Sequence, residues 1–175
     1  MLIDLKYWLI NLALLAAALA LLRPWRGPLQ PVRPAHVLCG VGLGLVPVVL
    51  VGALNIALAG SFSVLQFLAL PAGSAAQFFL FQLLVAAAEE LFFRGCLQGA
   101  IKRRWQSPAL AVAGSALIFA LAHLTGGRAG IAQFLIPLCI GLLFGAAYEK
   151  WRGCTMLSLI LSHLLYDLAV TNVRL

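Results

Sequence analysis

The chain has 175 residues, of which 63% are apolar and 10% charged, and its formal net charge is +7. Soluble domains run at about 45–50% apolar and about 25% charged, and a soluble domain of this length cannot hide so much apolar surface. A soluble enzyme, a disordered chain, a coiled coil and a disulfide-stapled secreted domain are all excluded. What remains is an all-α, polytopic integral membrane helical bundle.

A spanning helix needs about 20 apolar residues, and about six stretches qualify. The first runs Tyr7–Leu22; the basic flank Arg23-Pro24-Trp25-Arg26 suits a retained anchor rather than a cleaved signal peptide. The second runs Ala35–Ala59 and is interrupted by Pro47. Ser61–Ala75 is uncharged, contains Pro71 and Gly73, and reads as a short interfacial or re-entrant linker. The third span covers about Ala76–Ala100. Ser107-Pro108 then marks a helix start, because Ser can cap and Pro tolerates the first helical position. The fourth span is Ala109–Leu124, the fifth Ile131–Tyr148 and the sixth Cys154–Val170. The chain reads as one membrane domain over residues 1–175, with an N-terminal two-helix segment at 1–60 and a motif-bearing core at about 76–170. No transporter-like internal repeat is evident.

The basic residues sit singly or in threes between apolar runs, which speaks against a nucleic-acid partner and for the positive-inside rule. Arg23, Arg26, Arg33, Lys102, Arg103, Arg104, Lys150 and Arg152 fall on one side, against Lys6, Arg128 and Arg174 on the other. Eight against three predicts that the richer loops are cytoplasmic and both termini outside, as in a multi-pass protein of a prokaryotic plasma membrane. Cys39, Cys96, Cys139 and Cys154 lie in or beside apolar spans with no CxxC, and read as small buried apolar residues. Gly40-x-x-x-Gly44 and Gly141-x-x-x-Gly145 are spacings that let helix backbones approach closely.

With the loops removed, a few polar groups are left at membrane depth: Glu89, Glu90, Arg94, His123, His163 and Asp167. An ionised residue at a helix centre costs about 2.5–3.5 kcal/mol on insertion scales, so such residues mark function by default. Glu90 and Arg94 are i and i+4 and can pair. Glu89 lies about 100° around the helix from Glu90 and is left as the spare carboxylate. His163 and Asp167 are also i and i+4, so the carboxylate can orient the imidazole or share a ligand with it. At 1.5 Å per residue, Glu89 lies about 20 Å from Lys102, with His123, His163 and Asp167 about 21, 14 and 20 Å from the same face. One layer, and so one site, is predicted.

A carboxylate with imidazoles suits water activation, the carboxylate as general base and an imidazole as oxyanion donor. The same atoms, Glu89, His123 and His163, could instead hold a zinc ion with an open position for water. Two other classes share the pattern: a non-catalytic immunity or peptide-binding membrane protein, and a proton-coupled transporter with buried relay groups. The short chain without repeats weighs against transport.

Glu89-Glu90-Leu91-Phe92-Phe93-Arg94 is EExxxR, Phe119-Ala120-Leu121-Ala122-His123 is FxxxH, and His163-Leu164-Leu165-Tyr166-Asp167 is HxxxD. In this order on separate helices, the three motifs resemble those of the CPBP intramembrane proteases, the group containing the type II CAAX prenyl endopeptidases. The resemblance implies an endopeptidase in which Glu89 and His123 activate water, while His163 and Asp167 serve the oxyanion or a metal. Glu90 and Arg94 are then structural, compensating each other's charge. The prenyl endopeptidases carry Asn where this chain has Asp167, which favours an Asp–His orienting pair or a metal ligand here. The implied partner is a membrane-anchored peptide or protein, either prenylated or carrying a C-terminal sorting segment, met within the lipid bilayer.

Overall fold

A computed structural model describes residues 3–22, 32–59, 66–124 and 131–170. Among them the structure is helical throughout, with no strand. Helix α1 is Leu5–Leu22, α2 Pro34–Ala59 and α3 Ala72–Glu90. The chain then continues without a break through π-helical turns at Leu91–Gln98 into α4, Gly99–Trp105. Helices α5 (Pro108–His123), α6 (Ile131–Lys150) and α7 (Met156–Val170) complete the bundle. The α1, α2 and α6 helices and the continuous Ala72–Trp105 rod are long and apolar enough to cross a membrane, while α5 and α7 are shorter apolar helices. At 16 and 15 residues, these two reach about 24 and 22 Å, less than the ~30 Å hydrocarbon core. They carry both histidines of the predicted layer.

The boundaries differ from the sequence reading in three places. Helix α2 runs straight through Pro47, so this proline removes one backbone donor without ending the helix. The third span starts at Ala72, inside the stretch expected to be a linker, and is preceded by a 3-10 turn at Gln66–Ala69. It also ends later, because Lys102–Arg104, expected in a loop, lie in the last turn of α4. Gln106, at φ 51°, closes that helix in the left-handed region. Ser107 then caps α5, accepting from the Leu110 N–H at 3.3 Å with Pro108 in the first turn, as the sequence indicates. Residues 61–65, together with Arg23, Arg26, Arg128 and Arg174, lie outside the described residues.

Polar side chains along the helices find partners nearby. Asn11 Nδ2 donates to the Tyr7 carbonyl and Asn55 Nδ2 to the Val51 carbonyl, both at 2.9 Å and both one turn back. In hydrocarbon such local bonds replace the water that a soluble helix would use. Leu9, Ile10, Leu38, Leu45, Val49 and Leu50 stay exposed on α1 and α2, which is the surface a bilayer solvates.

The bundle packs in three main pairings: α2 along α7, α5 along α6, and α1 along α3 and the π-helical turns. The α2–α7 contact uses Gly40 and Gly44. A Cβ on Gly40 would lie 2.9 Å from the Ser158 carbonyl oxygen, and one on Gly44 2.8 Å from that of Ser162. The close approach lets Ser158 Oγ donate to the His36 carbonyl at 2.8 Å and Ser162 Oγ to the Gly40 carbonyl at 2.9 Å. His36, read from sequence as a partnerless loop-edge residue, is buried in the first turn of α2, where its Nδ1 accepts from the Arg33 N–H. Gly44→Leu is therefore expected to wedge α7 off α2, costing about 1–3 kcal/mol. Gly42→Leu is the control, since nothing lies within 4 Å of its Cβ position. Thermal unfolding followed by size exclusion in detergent should show the Gly44 variant shifted down and the Gly42 variant near wild type.

Leu43, Ile140, Phe144, Ala147, Cys154 and Leu159 form an apolar cluster joining α2, α6 and α7. The four cysteines are free.

Candidate active site

Glu90 is fully buried at the end of α3, and its Oε1 is the point where three helical segments meet. Arg94 Nη1, from the π-helical turns, donates to it at 3.0 Å. His163 Nδ1, from α7, donates to the same oxygen at 2.8 Å. The Glu90–Arg94 pair expected from the spacing is present; the bond to His163 was not legible, because it crosses 73 residues of sequence. A carboxylate can only accept here, so Nδ1 carries the proton and the ring is locked with Nε2 facing away from Glu90.

His163 Nε2 lies 3.8 Å from Glu89 Oε2 and 3.6 Å from Asp167 Oδ2. Both distances exceed a hydrogen bond. Asp167, given the task of orienting His163 on the sequence reading, does not hold the ring by a hydrogen bond. The i+4 carboxylate stops short of Nε2, and Glu90 from another helix takes Nδ1. Glu89 Oε2 is buried without a hydrogen-bond partner among the described residues. An imidazole nitrogen and two carboxylate oxygens thus surround one small space, a setting in which a water or a substrate carbonyl can complete each group's bonding.

His123 arrives from the C-terminal end of α5. Its Nδ1 donates to the Phe119 carbonyl one turn back at 2.9 Å. A carbonyl is only an acceptor, so this bond leaves Nε2 as the free, proton-accepting nitrogen of the neutral ring. The His123 and His163 rings both pack on Phe119, at 4.5 and 6.2 Å between ring centroids, and Glu89 and Asp167 lie within 4 Å of His163 Nε2.

Two aromatic residues seat this group. The Phe119 ring lies 4.5 Å from the His123 ring and 4.4 Å from the Arg94 guanidinium carbon. Phe144 faces His163 at 6.3 Å between ring centroids and Arg94 at 6.0 Å. Stacked cations in a dry setting gain about 2 kcal/mol or more from such rings. The phenylalanine of FxxxH is therefore a platform for the cation. Phe144 carries no motif, and nothing in the sequence separates it from the other apolar residues of α6.

Zinc was the open alternative for Glu89, His123 and His163. Among the described residues no group of three or more His, Cys, Asp or Glu side chains is arranged to hold a metal ion. The Nδ1 atoms of both histidines are engaged, which leaves Nε2 of each ring as the nitrogen open to a ligand. No chemical step is routed through zinc.

Residues 71–169 match the family described as type II CAAX prenyl endopeptidase, Rce1-like. The match spans more than half of the chain and contains all three motifs. The chain belongs to the Rce1-like family. Membership carries the general class, a CAAX-type intramembrane endopeptidase in an integral membrane protein. No curated protein and no solved structure matches the chain. Within this Rce1-like chain, Glu89 and Asp167 lie near His163 Nε2, His123 packs on the Phe119 ring beside them, and Glu90 with Arg94 lies on the Nδ1 side of His163.

Proposed function

We propose that this protein hydrolyses peptide bonds of membrane-anchored or lipid-modified substrates, using Glu89 as general base on a water molecule. The observation that carries this reading is the unpartnered Glu89 Oε2 facing His163 Nε2, whose ring is fixed from behind by Glu90. Glu89 removes a proton from water as the hydroxyl oxygen attacks the scissile carbonyl carbon. His123 Nε2, free to accept, orients that water. His163, as the imidazolium with both ring nitrogens protonated, donates through Nε2–H to the oxyanion that develops on the carbonyl oxygen, the largest electrostatic contribution in most acyl transfers. Collapse of the intermediate breaks the C–N bond, and the proton held by Glu89 passes to the leaving amine. Asp167, 3.6 Å from Nε2, favours the charged imidazolium while the oxyanion exists.

The substrate is a prenylated or C-terminal sorting segment that reaches the site from the bilayer. The Lys102–Arg104 end of the bundle is cytoplasmic and both termini lie outside, following the distribution of basic residues. The test is cleavage of a panel of lipid-anchored and C-terminal-anchor peptides by purified protein in liposomes, with Glu89→Gln in parallel. Cleavage by both proteins at equal rates would remove Glu89 from the chemistry. Cleavage is also expected to survive exhaustive chelation, with elemental analysis showing no stoichiometric zinc.

A further inference from the structure

The rod that carries EExxxR changes from α to π geometry at Leu91, directly after Glu90, and returns to α at Gly99. Arg94 lies inside the π-helical turns, so its reach to Glu90 and Phe119 depends on them. π-Helical geometry is rare and usually confined to a single turn. A run of eight residues therefore calls for support from outside its own backbone.

That support is built from two neighbouring helices. From α5, the buried Ser115 Oγ donates to the Phe93 carbonyl at 2.8 Å, in the middle of the π-helical turns. At their C-terminal end Gln98, 1% exposed, reaches α6: its Nε2 donates to the Gly145 carbonyl and to Glu149 Oε1, both at 3.2 Å. Gly145 makes the space for this, since a Cβ there would lie 2.9 Å from Gln98 Oε1. Glu149 then uses its second oxygen to pair with Lys102 on α4. One acid thus grips Gln98 and Lys102, on either side of the π-to-α junction. Of the five acids in the chain, Glu149 belongs neither to the polar layer nor to the N-terminus.

We infer that Gln98, held by Gly145 and Glu149, is a positioning residue that keeps the Leu91–Gln98 turns π-helical and so holds Arg94 on Glu90 and His163 Nε2 toward Glu89. Tightening to α geometry rotates the helix on one side of the segment against the other by about 100° per residue of register. Arg94 then leaves its carboxylate and its aromatic seat. The effect falls on alignment of reacting groups, where a displacement of about 1 Å can cost about 100-fold. This inference rests on the Glu89-dependent hydrolysis proposed above, and so its test includes a readout that needs no activity.

The test compares Gln98→Met, Glu149→Leu and Glu149→Gln, reading kcat and KM together with amide hydrogen exchange by mass spectrometry. Gln98→Met keeps the side-chain length and loses the donor. It is expected to lower kcat by about 10–100-fold with KM within about twofold, and to speed exchange over 91–98 while leaving α2 and α7 unchanged. Glu149→Leu moves both readouts the same way, and it carries the test if Gln98→Met does not fold. Glu149→Gln keeps an acceptor for Gln98 and retains at least about half of wild-type kcat. Wild-type exchange and kcat in Gln98→Met overturn the inference, and so does an equal loss in Glu149→Leu and Glu149→Gln, which would assign the role to charge. Absence of Glu89-dependent cleavage by the wild type is the failure of the hydrolysis reading, and the exchange comparison still decides this one.

Discussion

Glu89→Gln is expected to lower kcat by about 10²–10⁴-fold while KM changes little, the range for loss of a general base. Glutamine keeps the shape and the hydrogen-bonding reach of glutamate but accepts no proton at neutral pH. The substitution is a clean one because of where the two adjacent glutamates sit. The Glu89 side chain is 18% exposed and has no hydrogen-bonded cation, whereas Glu90 is 0% exposed and bonded to both Arg94 and His163. Neutralising Glu89 therefore removes a charge without orphaning another. Its Tm should stay close to wild type, and single-turnover assays on lipid-anchored peptides in liposomes separate the lost chemical step from binding. Glu89→Asp, one methylene shorter, should fall between the two, since it retains the base and misplaces it.

Arg94→Met is the substitution with the largest expected effect on folding. Arg94 is 1% exposed, and its removal leaves Glu90 buried with His163 alone to compensate its charge. Breaking one side of a buried ion pair costs about 3–5 kcal/mol, against a total stability of about 5–15 kcal/mol for a typical domain. The loss of stacking on Phe119 and Phe144 adds to that cost. The expected result is a sharp drop in monodisperse protein recovered in detergent. Removing both charges should reverse much of it, because a neutral pair leaves no unpaired ion. The double variant Arg94→Met with Glu90→Gln is thus expected to be recovered as folded protein and still to be inactive, because a neutral amide no longer favours the imidazolium form of His163. Recovery of the single variant at wild-type level would show that the Glu90–Arg94 pair is not what holds the fold.

The two variants separate roles that adjacent positions in sequence conceal. Glu89 and Glu90 are the same residue type, one position apart, in the same apolar stretch. The i+4 arginine is what distinguishes them in sequence, and it correctly marked Glu90 as the paired member. Spacing could not reveal that Glu90 also holds His163, because the two are brought together only by the packing of α3 against α7. His163 and Asp167 show the converse. Their i,i+4 spacing suggested an orienting bond, and the side chains stop at 3.6 Å because Nδ1 has a better partner elsewhere. Helix rise is nearly constant, so counting residues from one face places groups along the helix axis whatever their neighbours.

The amino-acid sequence by itself determined that this is a helical membrane protein, where its helices start and stop to within a few residues, and which six charged or imidazole side chains fall within apolar stretches. Those properties follow from local quantities: apolar run length against bilayer thickness, Ser-Pro at a helix start, and the cost of placing charge in hydrocarbon. Only the tertiary structure decided which carboxylate holds His163, that Phe119 and Phe144 seat Arg94, and that Leu91–Gln98 leaves α geometry. The same holds for the grip of Glu149 on Gln98. The physical reason is common to all of these. An α-helix satisfies its own backbone, so its position along the chain is a local matter. A π-helical segment, a doubly bonded carboxylate and a stacked guanidinium persist only where side chains from other helices complete their bonding, and those partners are set by packing.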